Sequence, residues 1–316
     1  METVLNSFSG ILTMFVVVLF GVFIEKKHWV NDNSINFISI LVNKVCLPPF
    51  MFLTTFTKID ATVVNNMKDG FLLPFASMIF SMLIARMLGH VLKVSRDHLG
   101  IFTVCVGLSN TIFVGLPLCI AIFGDSALPY IMTYYFGNSF LFWTIGIQQL
   151  ASCNDRDIKI FSRSTFKNIA SPPLMAALLG FVALLVGIKL PAVLIKGMAY
   201  VGNMTTPLAM IFIGIAISKT DFSLFKFDRE FFGALLGRFL ICPLLLLAML
   251  LYFQTEPLMA EVFLVMSAMP AMANIPIIST NYGGDYKYAA AIVVATTCLA
   301  GLVIPMYIML FHGFSG

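Results

Sequence analysis

Charged residues are scarce in this chain. Only 11% of its 316 residues are Asp, Glu, Lys or Arg, while 59% are apolar and the mean hydropathy is +0.96. A soluble domain has roughly 25% charged and roughly 45–50% apolar residues, so the composition excludes an ordinary soluble protein. The alternation of polar and apolar residues that is typical of outer-membrane barrels is also missing. The continuous apolar runs predict helices that span a bilayer.

Motifs of enzymes and of metal or phosphate sites are missing as well. The sequence contains no HExxH, GxSxG or GxxxxGK, and its six cysteines form no CxxC pair. Asp285 follows two glycines, but Tyr282 stands where the GxGD motif of membrane aspartyl proteases requires glycine. We therefore expect no enzymatic activity, no cofactor, no bound metal and no nucleic-acid partner.

Ten apolar segments are long enough to cross the lipid bilayer, since one spanning helix needs about 20 residues. They leave only short loops and no room for a soluble catalytic domain. The sequence thus predicts an all-α polytopic membrane protein with spans at 5–24, 35–56, 71–92, 99–123, 129–152, 169–188, 192–218, 231–253, 258–282 and 288–311.

Positive charges are distributed unevenly between the predicted loops. Of the 19 Lys and Arg residues, twelve lie in odd-numbered loops, three in even-numbered loops, and four inside spans. Because Lys and Arg favour cytoplasmic loops, we expect the odd loops inside and both termini outside. The first span lacks a basic segment before it, and Lys26 and Lys27 follow it, so we expect no cleaved signal peptide.

The two halves of the chain match at an offset of 159 residues. The matched pairs are Pro48 with Pro207, Pro117 with Pro276, Gly21 with Gly180, and Gly124 with Gly283. The halves, approximately 1–157 and 160–316, each hold five spans. Because five is an odd number, the second half enters the membrane from the opposite side and is inverted relative to the first. Inverted repeats of this kind are typical of secondary transporters.

The fourth and ninth spans carry proline and asparagine near their middle. Proline removes a backbone donor, and in hydrocarbon the freed carbonyls need other partners. The matched pair predicts two broken helices that cross, with second halves starting near Pro117 and Pro276. Helix amino termini and asparagine amides suit a carboxylate ligand. The alternative is a pair of ordinary kinks.

Candidate substrate-binding residues follow from this hypothesis. In the two broken spans they are Asn110, Thr111, Gly115, Pro117, Asn274, Ile275 and Pro276. Asn138 of the fifth span is a further candidate, with helix–helix hydrogen bonding as its alternative role.

Two cations lie deep in predicted spans, and no Asp or Glu does. Lys44 precedes Pro48 in the second span, and Arg238 lies about two turns into the eighth. Cations without carboxylates favour an anionic ligand, and snorkelling to the interface is the alternative. The lack of buried carboxylates or histidines disfavours coupling through titration, but sodium held by carbonyls and asparagine stays open.

The ninth and tenth spans resemble the auxin efflux carrier family, which includes the plant PIN exporters and bacterial carboxylate carriers. The resemblance extends over the whole chain. The residues that carry it are Pro270, Ala273, Asn274, Pro276, Tyr282, Gly283 and Asp285 before an Ala-rich span, with Ser109–Thr111, Gly115, Pro117, Pro48 and Pro49.

This resemblance implies a homodimer that carries small organic anions such as malate, malonate or auxin-like acids. It implies scaffold helices at 1–56 and 169–218, and a mobile transport domain at 71–152 and 231–312 that moves as an elevator. The central loop is about sixteen residues long, far shorter than in plant exporters, which indicates a prokaryotic member in a bacterial cytoplasmic membrane.

Two other functions remain open at this point. One is a sodium-coupled organic anion symporter with the related bile-acid-carrier fold, which would need sodium for transport. The other is an anion-binding receptor or sensor, which would bind without flux and is disfavoured by the lack of a soluble domain.

Overall fold

The structure is a computed structural model, and it describes residue 13 and residues 16–59, 70–153, 170–219 and 228–312. The start of the first predicted span and most of the predicted central loop lie outside these ranges. Within them, every regular element is helical and no strand is present. Six stretches are long and apolar enough to span a membrane: Ser34–Lys58, Leu73–Val91, Thr111–Ser152, Ala192–Ser218, Arg229–Phe253 and Tyr286–Tyr307.

Sixteen α-helices are described, the first as helical residues 16–26 (α1). The others are α2 Asp32–Leu41, α3 Leu47–Lys58, α4 Leu73–Val91, α5 Arg96–Gly107, α6 Leu116–Phe123, α7 Leu128–Leu141, α8 Ile147–Ser152, α9 Pro172–Leu185, α10 Ala192–Asn203, α11 Thr205–Ser218, α12 Arg229–Leu236, α13 Cys242–Phe253, α14 Pro257–Ser267, α15 Ile275–Asn281 and α16 Tyr286–His312. The predicted loop between the fourth and fifth spans is a single 3₁₀ turn, Gly124–Ala127.

Acidic and amide side chains cap several of these helices. Asn31 accepts from Ser34 N at the start of α2, and Asp228 accepts from Phe231 N at the start of α12. Glu256 accepts from two backbone N–H groups of α14. Such caps satisfy first-turn donors that no helical carbonyl can reach.

Four short π-helical turns lie within or at the start of the long helices. They are Val42–Cys46, Thr111–Gly115, Phe142–Gly146 and Gly237–Ile241. The first, second and fourth end two residues before a proline, namely Pro48, Pro117 and Pro243. Proline supplies no N–H and its ring displaces the carbonyl four residues back, so a wider turn there accommodates the ring.

The described residues form two compact units. Unit 1 lies within Met1–Lys68, Ile112–Met132 and Lys167–Lys219, and unit 2 lies within Asp69–Thr111, Thr133–Phe166 and Thr220–Gly316. The predicted scaffold and mobile transport domain have other boundaries, and that functional division stays a prediction.

Glycines set the helix contacts within unit 1. A Cβ at Gly21 of α1 would overlap Ile211 O of α11, and one at Gly180 of α9 would overlap Thr55 Oγ1 of α3. Thr55 also donates to Ala177 O of α9 at 3.0 Å. Small residues allow this close backbone approach, which drives helix association where the surroundings are as apolar as the side chains.

Unit 2 is built around α5, most of which is buried. Gly100 of α5 lies against the backbone of Gln149 in α8, and Gly107 lies against Met82 of α4. Arg86 of α4 donates to Gln149 Oε1 at 2.5 Å. This packing holds the carboxyl end of α5 in the interior of the unit, where the candidate site begins.

Candidate functional site

The chain leaves helical conformation at two places in unit 2. The first break segment, 108–110, separates α5 from the π turn that begins at Thr111, and the second break segment, 268–274, separates α14 from α15. Ser109 and Ala271 form an antiparallel β-bridge, and Asn110 N donates to Pro270 O at 2.8 Å. The two break segments therefore satisfy some of each other's backbone hydrogen-bonding groups.

The position of one break differs from the prediction. Pro276 is the second residue of α15, as expected for a helix that starts near it. Pro117 instead lies six residues after the chain becomes helical again at Thr111. The pairing with the second break segment fixes the break at 108–110, and the π turn accommodates the proline.

Asn138 holds the first break segment from the side opposite Ala271. It lies in α7 and is only 1% exposed. Its Oδ1 accepts from Ser109 N at 2.9 Å and its Nδ2 donates to Ser109 O at 3.0 Å. The side-chain amide thus pairs with Ser109 as a neighbouring strand would, so its carboxamide positions the break; its predicted role as a substrate ligand stays a prediction.

Arg238 is the largest fully buried side chain of the described residues, at 1% exposure. It lies in the π turn Gly237–Ile241 and donates from Nη1 to Val106 O at 2.6 Å. Its Nη2 donates to Ser109 Oγ at 2.8 Å and to Ser267 O. One guanidinium therefore contacts the last turn of α5, the first break segment and the last residue of α14.

Ser109 and Thr296 belong to this site but were not predicted as site residues. Thr296 Oγ1 of α16 accepts from Ala271 N at 3.1 Å and itself donates to its own helix. Ser109 adjoins the predicted Asn110, so the motif offered a signal for it. A lone threonine in an apolar span carries no such signal.

The remaining predicted residues are divided between the units. In unit 2, Asn110 and Thr111 are buried at 4% exposure each, Ile275 and Pro276 are buried, and Asn274 is half-buried at the amino end of α15. In unit 1, Gly115 and Pro117 are buried, while Lys44 lies in the π turn Val42–Cys46 with its side chain exposed.

Among the described residues, no group of three or more His, Cys, Asp or Glu side chains is placed to hold a metal ion. The polar centre of unit 2 consists of backbone carbonyls, amides, hydroxyls and one guanidinium. Such groups can bind and orient a polar solute.

Comparison with known proteins identifies the class of molecule in which this centre occurs. Residues 7–308 match the model of the membrane transport protein family. The chain belongs to this family. The resemblance to auxin efflux carriers is thereby confirmed, and the protein is an integral membrane transporter.

Its relatives include two archaeal proteins described as uncharacterized transporters. One, from Methanocaldococcus jannaschii, is 25% identical over 304 residues, covering 94% of this chain and 96% of the relative. The other, from Methanothermobacter thermautotrophicus, is 22% identical over 308 residues, covering 96% and 98%. The similarity therefore runs along nearly the full length of all three membrane transport proteins.

Proposed function

We propose that this protein is a secondary transporter of small organic anions, such as malate, malonate or auxin-like acids. The two paired break segments form the site at which it alternates access. The observation that carries the proposal is the buried Arg238 at the centre of those segments. Among the described residues no carboxylate pairs with its guanidinium, which donates to the carbonyls of Val106 and Ser267 and to the Ser109 hydroxyl.

A buried cation with only neutral partners favours an anion nearby. Removing a charge from water costs several kcal/mol unless the surroundings compensate for it. Arg238 Nε is also buried and has no acceptor in the described part of the chain. The site thus retains positive potential, and a carboxylate that enters it would be attracted over a distance by that potential.

Neutral groups would then bind the substrate directly. Asn110 and Thr111 lie at the end of the first break segment, and Asn274 and Ile275 at the end of the second. Side-chain amides and the first N–H groups of a helix are donors suited to a carboxylate. Lys44 stays a predicted further source of positive charge for the substrate.

The proposal extends to the finer architecture. Ten spans in two inverted repeats would form a scaffold and a transport domain that moves as an elevator, in a homodimer with both termini outside the cytoplasmic membrane. The observed helical stretches Leu73–Val91 and Arg229–Phe253 end near the ends of the predicted spans 71–92 and 231–253, which supports the predicted positions of these two spans.

Reconstitution tests the function directly. Proteoliposomes would be exposed to a panel of carboxylates, including malate, malonate, lactate and indole-3-acetate, while uptake and charge movement are recorded. We expect flux of one or a few acids. Binding of an acid without flux would contradict a transporter and favour the receptor function instead.

The predicted binding role of Asn110 is tested by Asn110→Ala. We expect transport to fall at least about tenfold, because a lost hydrogen bond to a charged group costs about 1.5–3 kcal/mol. The backbone bond from Asn110 N to Pro270 O survives the change, so the fold should persist. Initial uptake rates and size-exclusion profiles measure both effects.

Asn43→Ala is the matched control for this variant. Asn43 is a half-buried asparagine of unit 1 whose Nδ2 donates to Ser39 O of its own helix at 2.9 Å. We expect uptake close to wild type in that variant. Wild-type uptake in Asn110→Ala would remove this residue from the binding site.

A further inference from the structure

The break segments leave two helix-end carbonyls without their usual partners. In an uninterrupted helix, Val106 O would accept from Asn110 N, and Ser267 O would accept from Ala271 N, four residues on. Here Asn110 N donates to Pro270 O, and Ala271 N donates to Thr296 Oγ1. The same displacement occurs at both breaks, so each helix presents one displaced carbonyl toward the centre of unit 2.

Arg238 donates to both of these displaced carbonyls. Its Nη1 bonds to Val106 O and its Nη2 to Ser267 O, with Ser109 Oγ as a third oxygen. The partial negative charges of two helix carboxyl ends therefore converge on one guanidinium. Cations are favoured at such ends, and a guanidinium stays charged at any physiological pH.

Carbonyl clusters of this kind bind exchangeable cations in other transporters. Where transporter helices are discontinuous, their carboxyl ends and unwound carbonyls coordinate Na⁺. Here the guanidinium takes up the three oxygens, and it is covalently attached. A cation that is part of the chain cannot be bound and released in each transport cycle.

We propose that the guanidinium of Arg238 permanently occupies the oxygen cluster formed by Val106 O, Ser267 O and Ser109 Oγ. Anion transport then requires no sodium, because no exchangeable cation is needed at this cluster. Arg238 is a positioning residue in this role. It holds the two helix ends and break segments together without contacting the substrate. The inference rests on the proposed function and specifies its coupling.

Wild-type protein in proteoliposomes gives the first test. Uptake of the transported acid is measured with sodium on both sides, and again with sodium replaced throughout by choline. We expect the same initial rate in both buffers. A rate that collapses in choline and returns with sodium would overturn the inference, while leaving anion transport itself intact.

Arg238→Ala gives the second test, because it empties the oxygen cluster without filling it. We expect uptake in choline to fall at least about tenfold, since the two carbonyls lose charged donors. Millimolar guanidinium or sodium should restore part of this uptake and raise the variant's melting temperature. Restored function that depends on an added cation is an effect that a purely structural arginine would not produce.

Arg86→Ala is the matched control, because Arg86 is a part-buried arginine of the same unit whose hydrogen bond within the described part of the chain goes to a side chain, Gln149. Added guanidinium should change neither its uptake nor its melting temperature. Equal responses in both variants would overturn the inference, as would a folded Arg238→Ala protein with wild-type uptake in choline.

Two outcomes separate the inference from the function on which it rests. If wild-type protein moves none of the acids, the proposed function fails, and the melting temperature of Arg238→Ala with added cations still tests the oxygen cluster. If Arg238→Ala does not fold, Arg238→Lys retains a cation there. That variant should transport without sodium, and sodium-dependent uptake by it would overturn the inference.

Discussion

Gly283 ends helix α15 in a left-handed conformation, with φ at +82°. Its N–H donates to Thr280 O at 2.9 Å, and Gly284 N donates to Ser279 O at 2.9 Å. This pair of bonds is the Schellman arrangement, which satisfies the last carbonyls of a helix. Gly283, one of the residues that carry the family resemblance, therefore stands where the backbone conformation favours glycine.

Gly283→Ala should destabilise the protein. A Cβ in the left-handed region costs about 1–2 kcal/mol, because it approaches the following carbonyl. We expect the melting temperature in detergent to fall by a few degrees. Gly197→Ala is the control, since Gly197 lies inside α10 with open space around it. That change should leave the melting temperature equal or higher, and equal losses in the two variants would contradict this account.

At the scale of elements, His98 links three separate parts of unit 2. It lies in α5, and its Nδ1 is 3.3 Å from Glu230 Oε2 in α12, while its Nε2 is 3.4 Å from Asp285 Oδ2 before α16. Its ring stacks on Tyr288 with centroids 3.9 Å apart. The amino ends of three helices thus meet at one side chain.

The charge of Asp285 gives this link a dependence on pH. Burial favours the protonated acid, but bonds from Tyr288 N, Lys287 N and His98 outweigh it and lower the pKa of Asp285. A carboxylate whose folded-state pKa is lowered contributes stability above its unfolded pKa. That stability is lost as pH falls through the lowered pKa.

The Asp285→Asn variant should therefore be less stable than the wild-type protein at neutral pH and equally stable in strong acid. We expect its melting temperature to lie up to about 1–2 °C below wild type near pH 6, because the carboxylate is half-exposed and screened. The gap should close as pH falls below the usual range of aspartate. A gap that stays constant from pH 7 to pH 3 would contradict the charge effect.

At the scale of the whole molecule, orientation in the membrane depends on a few charges. Twelve of 19 Lys and Arg residues lie in odd-numbered predicted loops, which predicts that those loops face the cytoplasm. Lys287 lies in such a loop and Lys189 in an even-numbered one, and both side chains are exposed. Five of the six cysteines are buried, and Cys298 is exposed.

Single cysteines at these positions test the orientation. On a Cys298→Ser background, Lys189→Cys should react with a membrane-impermeant maleimide added to intact cells. Lys287→Cys should react only after the membrane is opened. Labelling of both positions from the same side would contradict the predicted arrangement of loops.

Much of the membrane architecture followed from the sequence, because bilayer thickness imposes span length and span composition. Apolar runs of about 20 residues predicted segments such as 71–92 and 231–253, and helices are found at Leu73–Val91 and Arg229–Phe253. The family motifs likewise predicted a transporter, which the family match confirmed.

The candidate site was predicted only in part. Asn110 lies in the first break segment and Pro276 lies two residues after the second, because such residues interrupt helices locally. The break before Thr111 was misplaced, since long-range pairing with Pro270 sets it rather than Pro117. The role of the Val106 and Ser267 carbonyls as acceptors for Arg238 could not be predicted. Every residue has a backbone carbonyl, and only the tertiary structure shows which group donates to it.

The sequence alone determined that this chain spans a membrane, where its apolar segments lie, and that its deep cations have no acidic counterpart within the spans. These properties depend on composition and local periodicity. Only the tertiary structure determined what Arg238 binds. Its partners lie 129–132 positions before it and 29 after it in the chain, and such distant groups meet only when the helices that carry them have packed.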